Sequence, residues 1–217
     1  MPRSAELGAA IVDALEAHRL PVTPAGLARL LSWATEAQKH GRRTNLIGMF
    51  EPRRIAEELV ADSLMLLPLL DEHAPAAIVD VGAGAGVPGL ILAGALDLPA
   101  FLVEPRAKRT MFLRHAARTM QLSTPAQVFE ARLEQVPASS LAGAPPRLWV
   151  SRAVFAPERW LEVATERGQS GDLIALWCNG DPEPALLRDA PARALIGQQN
   201  YALAGPGPRS VLLYRIR

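Results

Sequence analysis

At 217 residues the chain is long enough for one sizeable α/β domain with a small extension, and 49% apolar against 21% charged residues give it a core to fold around. A formal net charge of +1 excludes a polybasic tail and gives no global sign of nucleic acid, so any basic surface must be local. The single cysteine, Cys178, excludes an intramolecular disulfide and fits a reducing compartment. The opening MPRSAELGAAIVDALEAHRL lacks the long apolar run of a signal peptide, and LVADSLMLLPLL is too short to span a bilayer and is broken by Pro68. A cytoplasmic chain without membrane contact is expected.

Residues 4–17, 24–40 and 53–67 read as helices. Leu27, Leu30, Leu31 and Ala34 recur at the spacing of one buried helix face, and Thr23-Pro24 suits an N-cap followed by the first helical position. From residue 77 the pattern changes. AIVDV (77–81) is a short apolar run ending in glycines, as a buried parallel strand should be, and GVPGLILAGAL is the helix that follows. AFLVE (100–104) is a second strand, PRAKRTMFLRHAARTMQL a helix, and AQVFEA (126–131), RLWVS (147–151) and DLIALWC (172–178) three more strands, with PERWLEVATERG a helix before the last. The Ala/Pro-rich stretches 137–146 and 182–192 read as loops, and the C-terminal run around a Gly/Pro turn reads as a hairpin. Alternating strands and helices predict an α/β fold: a doubly wound, mostly parallel sheet closed by a C-terminal antiparallel hairpin (71–217), preceded by an N-terminal helical cap (1–70) packed on it, and monomeric.

VDVGAGAGVPGLILA (79–93) carries the chemistry. Gly84, Gly86 and Gly89 spell G-x-G-x-x-G, a dinucleotide fingerprint; Gly82, Gly84 and Gly86 spell G-x-G-x-G, with Asp80 just upstream. Both place glycines outside the carboxyl end of a strand, where open α/β sheets bind ligands. A dinucleotide brings an anionic pyrophosphate, which an Asp80 carboxylate facing the crevice would repel. S-adenosylmethionine brings an ammonium and a sulfonium, which the carboxylate suits. Asp80 can alternatively cap a neighbouring backbone turn. Glu104 ends the second strand at roughly the 20-residue offset at which an acidic side chain takes ribose hydroxyls; this suits either cofactor. Asp80, the glycines and Glu104 together favour S-adenosylmethionine.

From about Trp33 onward the chain resembles the GidB family of small-subunit ribosomal RNA guanine-7 methyltransferases. NLIG (45–48) resembles its N-L-T segment, ADSL (61–64) its L-D-S, DVGAGAGVPGLILA its D-V-G-[TS]-G-x-G-x-P-G signature, KRTMFLR (108–114) its K-R-x-x-F-L-R, ARLEQV (131–136) its R-x-E-E stretch, and SRA (151–153) its S-R-A-[FV]. The resemblance implies a class I methyltransferase fold and S-adenosylmethionine as cofactor, contacted by Gly82, Val87, Leu133, Glu134 and Arg152. It also implies ribosomal RNA or the small ribosomal subunit as partner. Methyl transfer to ring nitrogen 7 of guanine needs no general base, because that nitrogen has a free lone pair and no proton to lose. Consistent with this, no metal-ligand set is recognised, and His18, His40, His73 and His115 read as scattered and non-catalytic. Arg152 is expected near the reacting methyl. Lys108, Arg109, Arg132 and Arg209 are expected to meet RNA, with Arg106, Arg114 and Arg118 beside them and Arg42 and Arg43 on the rim.

The chain departs from the family where the substrate is expected. Glu58 and Leu59 stand in place of R-H before the Asp-Ser segment, LWCNG (176–180, with Cys178) lacks the family's lysine before its glycine, and Ser210 replaces the histidine after Arg209. A non-catalytic or small-molecule-directed relative that still binds S-adenosylmethionine is therefore the alternative reading.

Overall fold

A computed structural model describes residues 2–44, 46–141, 143, 145–205 and 207–217, with the side chains of 2–4 and 42–44 left aside. Its frame is a seven-stranded sheet: β1 (Ala77–Val81), β2 (Ala100–Val103), β3 (Gln127–Phe129), β4 (Arg147–Val150), β5 (Leu173–Asn179), β6 (Arg193–Leu203) and β7 (Gly207–Ile216), in the order β3-β2-β1-β4-β5-β7-β6. The first five strands are parallel, and β7 runs antiparallel to both β5 and β6. The strand order reverses between β1 and β4, so the carboxyl ends of those two strands flank the crevice where such sheets bind ligands.

Buried parallel strands have two apolar faces. Ala77, Val79 and Val81 of β1 pack with Trp149, Ile174 and Tyr214 on one side, while Ile78 packs with Leu102, Leu148 and Leu213 on the other. Helix α8 (Pro157–Arg167) covers the first face through Trp160, Leu161 and Ala164. Helices α6 (Gly89–Leu96) and α7 (Ala107–Met120) cover the second. The N-terminal helices α1 (Pro2–Ala17) and α2 (Pro24–Thr44) add a further layer there, α2 packing on both α6 and α7. One continuous apolar cluster joins Leu7, Leu30 and Trp33 to Ile78 and Leu102, so the core crosses the boundary drawn at residue 70.

Two differences from the sequence reading have physical causes. The helix expected over 53–67 is α3 (Pro52–Arg54), a π-helical turn Ile55–Ala61 and α4 (Asp62–Leu64), with α5 (Leu67–Leu70) after it. A 3.6-residue pattern does not reveal a π turn, which is set by what surrounds it; here it buries Ile55, Ala56, Val60 and Ala61 and delivers Asp62 to the sheet. Strand β3 is shorter than 126–131 because it lies at the edge with one neighbour and little burial.

Candidate functional site

The loop after β1 is held by backbone hydrogen bonds, two of them to the end of β2. The N–H groups of Gly82 and Ala83 both donate to the Val103 carbonyl, at 2.8 and 3.1 Å, and Gly86 donates to the Ala83 carbonyl at 2.6 Å. Gly84 has φ +55°, a left-handed conformation that glycine adopts without the Cβ penalty. Its N–H donates to Glu104 Oε2 at 3.0 Å, while Glu104 Oε1 accepts from the Arg106 N–H at 2.9 Å and the Arg109 guanidinium stands 3.7 Å from Oε2. From above, the Trp33 indole N–H donates to the Ala85 carbonyl at 2.8 Å, tying α2 to the loop.

Around this loop lies a cavity of about 630 Å³. Its floor is the backbone of 82–85, with Val87 beside it. Glu104, Arg106 and Arg109 form one wall, and Arg152, Ala153 and Val154, just beyond β4, form the other. Leu46, Ile47 and Leu59 supply apolar cover from the N-terminal segment. Of the residues expected at the cofactor, Gly82, Gly84, Val87, Glu104 and Arg152 line this space.

The others do not. Asp80 is fully buried beneath the loop, its Oδ2 accepting from the Gly89 N–H at 2.9 Å. A Cβ on Gly89 would come within 2.4 Å of that oxygen, so the close approach requires glycine. Burial pushes the Asp80 carboxyl up to about 7, against the opposing effects of the Gly89 hydrogen bond and the Arg152 charge. Asp80 thus braces the first turn of α6 and does not face the crevice, which corrects the charge argument built on it; the cap is the role the geometry displays. Gly86 packs against Leu90. Leu133 sits in the core and Glu134 is exposed on the short 3₁₀ turn Leu133–Gln135; neither lines the cavity.

Beside the cavity, Asp62 gathers four partners and is itself fully buried. Arg152 pairs with its carboxylate, Arg209 Nη1 donates to Oδ2 at 2.8 Å, the Tyr201 hydroxyl donates to Oδ1 at 2.6 Å, and the Trp177 indole donates to its main-chain carbonyl at 2.9 Å. Burial first, then the Asp62 charge, pushes the Tyr201 phenol up, so it stays a neutral donor. Sequence reasoning matched the Asp-Ser segment to a family without giving Asp62 a role; its partners come from positions 90 to 147 residues away. Arg209, expected on the RNA side, is tied into this cluster. Lys108 and Arg132 are exposed, and Arg109 belongs to the cavity wall. The side chains of Arg42 and Arg43, and all of Asn45, lie outside what the structure describes. Glu36, His40 and His115 lie together between α2 and α7, with donor atoms within 4.8 Å of one another, although the sequence reading treated the histidines as scattered.

The model of the GidB family, rRNA small subunit methyltransferase G, matches residues 27–180. The chain belongs to this family. A ribosomal RNA small subunit methyltransferase G of Anaeromyxobacter sp. strain Fw109-5 is 37% identical over 170 residues, 77% of each chain. One from Desulfotalea psychrophila is 47% identical over 115 residues, a stretch covering 52% of this chain and about half, 51%, of that relative. Among solved structures, a putative O-methyltransferase from Klebsiella pneumoniae has a similar fold, with a TM-score of 0.57 and 13% identity over 94% of both chains. The sheet is that of the class I methyltransferases.

The positions at which the chain departs from the GidB pattern fall in different places. Glu58 pairs with Arg54 at 2.6 Å, and Leu59 lines the cavity. Ser210 is buried in β7, its hydroxyl donating to the Gly180 carbonyl at 2.6 Å, and it does not line the cavity. Burial pushes the Cys178 thiol up, away from thiolate chemistry. No helix among the described residues is long and apolar enough to cross a membrane.

Proposed function

We propose that the chain binds S-adenosylmethionine over residues 82–87 and methylates ring nitrogen 7 of a guanine in small-subunit ribosomal RNA. The observation that carries this is a switch-point cavity with a backbone floor and the Glu104 carboxylate in its wall, in a chain of this family. The residues fit the cofactor. Glu104 is held by two backbone N–H groups yet keeps further acceptor capacity on both oxygens, which suits ribose hydroxyls and opposes a pyrophosphate. At Gly84 only the Arg109 guanidinium and the Gly82 carbonyl approach the place a Cβ would take, both at 3.7 Å, so a ligand can lie against the backbone.

When bound, the cofactor supplies an electrophilic methyl group on sulfur. The chain's own work is then positional. The loop and Glu104 fix the cofactor, Leu46, Ile47 and Leu59 keep water out, and Arg152, locked by Asp62, holds a fixed positive charge at the wall facing the substrate side. No residue is asked to remove a proton, because guanine nitrogen 7 has none to lose. A ribosomal substrate places the protein in the cytoplasm, with the small subunit or its RNA as partner. The test is calorimetric titration with S-adenosylhomocysteine, together with mapping of 7-methylguanosine in small-subunit RNA from a deletion strain. Tight binding and loss of a single 7-methylguanosine are expected; an unchanged methylation map sinks the proposal.

A further inference from the structure

A second cavity, of about 330 Å³, adjoins the first, and the two share Arg152 and Ala153. We infer that this second cavity seats the target base and that Arg152 and Arg209 select guanine within it; the inference rests on the proposed methyl transfer to RNA.

Its shape suits a flat aromatic ligand. Trp177 and Phe155 stand in its wall, and Phe155 stacks on Trp160 with centroids 5.8 Å apart and planes 20° from parallel. Both indoles are fixed through their N–H groups, Trp177 by the Asp62 carbonyl and Trp160 by the Ala175 carbonyl, each at 2.9 Å. The half-buried Trp177 therefore offers ring surface with no indole donor left to place, and the buried Trp160 backs Phe155. Enzymes that modify a base take it out of its stack into such a pocket, between aromatic or apolar side chains.

Its charged edge is one-sided, while Ser151 and Asn179 add uncharged polar groups. Arg152 and Arg209 both line the cavity and both pair with Asp62, and each retains a buried N–H without a partner: Arg152 Nη1 and Arg209 Nε. A guanidinium can only donate. Beside nitrogen 7, guanine presents the O6 acceptor, whereas adenine presents an amino donor. Guanine O6 satisfies the unpartnered donors; adenine sets donor against donor. Asp62 already accepts from Arg152, Arg209 and Tyr201, which leaves the cluster with more positive than negative charge and no free carboxylate edge to welcome an amino group. A base seated here abuts the first cavity at the wall the two cavities share.

The four tryptophans, Trp33, Trp149, Trp160 and Trp177, make the test local. Indole N–H signals of ¹⁵N-labelled protein are followed by NMR, first with S-adenosylhomocysteine and then with guanosine or adenosine 5′-monophosphate, each nucleotide also added without the first ligand. S-adenosylhomocysteine should move Trp33, which bonds the glycine loop. Guanosine monophosphate should move Trp177, and bind about five- to ten-fold more tightly than adenosine monophosphate, the scale of one net hydrogen bond. Arg209→Gln, whose amide both donates and accepts, should bring the two nucleotides within about two-fold of each other, with four dispersed indole signals showing that it folds. Equal responses to the two nucleotides, no Trp177 response to guanosine monophosphate, or undiminished selectivity in Arg209→Gln overturns the inference. A Trp33 signal indifferent to S-adenosylhomocysteine, with nucleotide selectivity intact, refutes the cofactor assignment and leaves the base subsite standing.

Discussion

Glu104 accepts a hydrogen bond from the Gly84 backbone at 3.0 Å, so the acidic end of β2 and the glycine loop of β1 form one unit. Glu104 is 2% exposed, and its other carboxylate oxygen holds the Arg106 N–H. Glu104→Ala removes both acceptors and leaves two backbone donors short of partners. We expect it to weaken S-adenosylhomocysteine binding by about 1–3 kcal/mol, and to lower stability as well, because a charge-assisted hydrogen bond inside the protein is lost. Glu104→Gln keeps one acceptor and should fall between wild type and Ala in both calorimetry and urea unfolding. Wild-type affinity in the Ala variant would refute the placement.

Trp33 acts on the same loop from the other side. Trp33→Phe keeps an aromatic ring in the core but leaves the Ala85 carbonyl without its 2.8 Å partner. A net hydrogen bond is worth about 0.5–1.5 kcal/mol. Because Trp33 does not line the cavity, any loss of cofactor affinity reports loosening of the loop. We expect affinity to fall two- to ten-fold, about 0.4–1.4 kcal/mol; unchanged affinity would mean the loop is rigid without α2.

How much of this was legible depended on distance along the chain. Gly82, Gly84 and Glu104 were readable because strand ends, glycine spacing and an acidic residue at a set offset are local signals, whereas Val87 came only from the family resemblance. Asp80 was visible as a residue and ambiguous as a role, since a carboxylate near a strand end can face the ligand or hold the next helix, and only the 2.9 Å bond to Gly89 decides between these. Asp62 could not be placed at all. Its function lies in Arg152, Tyr201 and Arg209, brought to it by the sheet and by a π turn that leaves no periodic trace. The antiparallel hairpin was legible as two strand-like runs around a Gly/Pro turn, but the insertion of β7 between β5 and β6 was not.

Asp80 predicts a pH dependence of stability. Its folded pKa, about 7, lies above the usual 3.8, so the folded state holds this proton more tightly than the unfolded state. Its contribution is therefore most favourable below about 4, and it is lost as pH rises through 7. Asp80→Asn keeps an acceptor for the Gly89 N–H and cannot ionise. The loss of stability between pH 5 and pH 8 should be smaller in Asp80→Asn than in wild type by on the order of 1–3 kcal/mol, at about 1.4 kcal/mol per factor of ten in proton affinity. Parallel urea-unfolding curves at the two pH values for both proteins would show that Asp80 is ionised and compensated throughout.

At the opposite end of the sheet, Asp172 should matter for folding alone. It is fully buried and accepts from the Arg147 guanidinium at 2.6 and 3.0 Å, from the Trp149 indole at 3.0 Å and from the Gln169 N–H at 3.0 Å. Arg147 is buried with it and would be left as an uncompensated charge in Asp172→Ala. Removing one partner of such a pair costs about 3–5 kcal/mol. We expect that loss in denaturant unfolding, with cofactor affinity of the remaining folded protein unchanged; a loss below about 1 kcal/mol would mean water reaches the site.

The net charge of +1 bears on how RNA is held. Among the described residues, Arg106 lines the cavity at the start of α7, and Lys108 beside it and Arg132 beyond β3 are exposed. Each phosphate neutralised contributes about 0.7 to 0.9 to the slope of log affinity against log salt. Binding to naked RNA should therefore be weak and shallow in salt, and Lys108→Ala should reduce the slope by about one such step without changing S-adenosylhomocysteine affinity. Recognition then depends on RNA shape or on neighbouring ribosomal proteins, so assembled small subunits should be methylated faster than naked small-subunit RNA, and free guanosine nucleotides not measurably. Efficient methylation of the free nucleotide would move the protein to small-molecule chemistry. Tight cofactor binding without turnover on any of the three substrates would instead mark a relative that binds and does not catalyse.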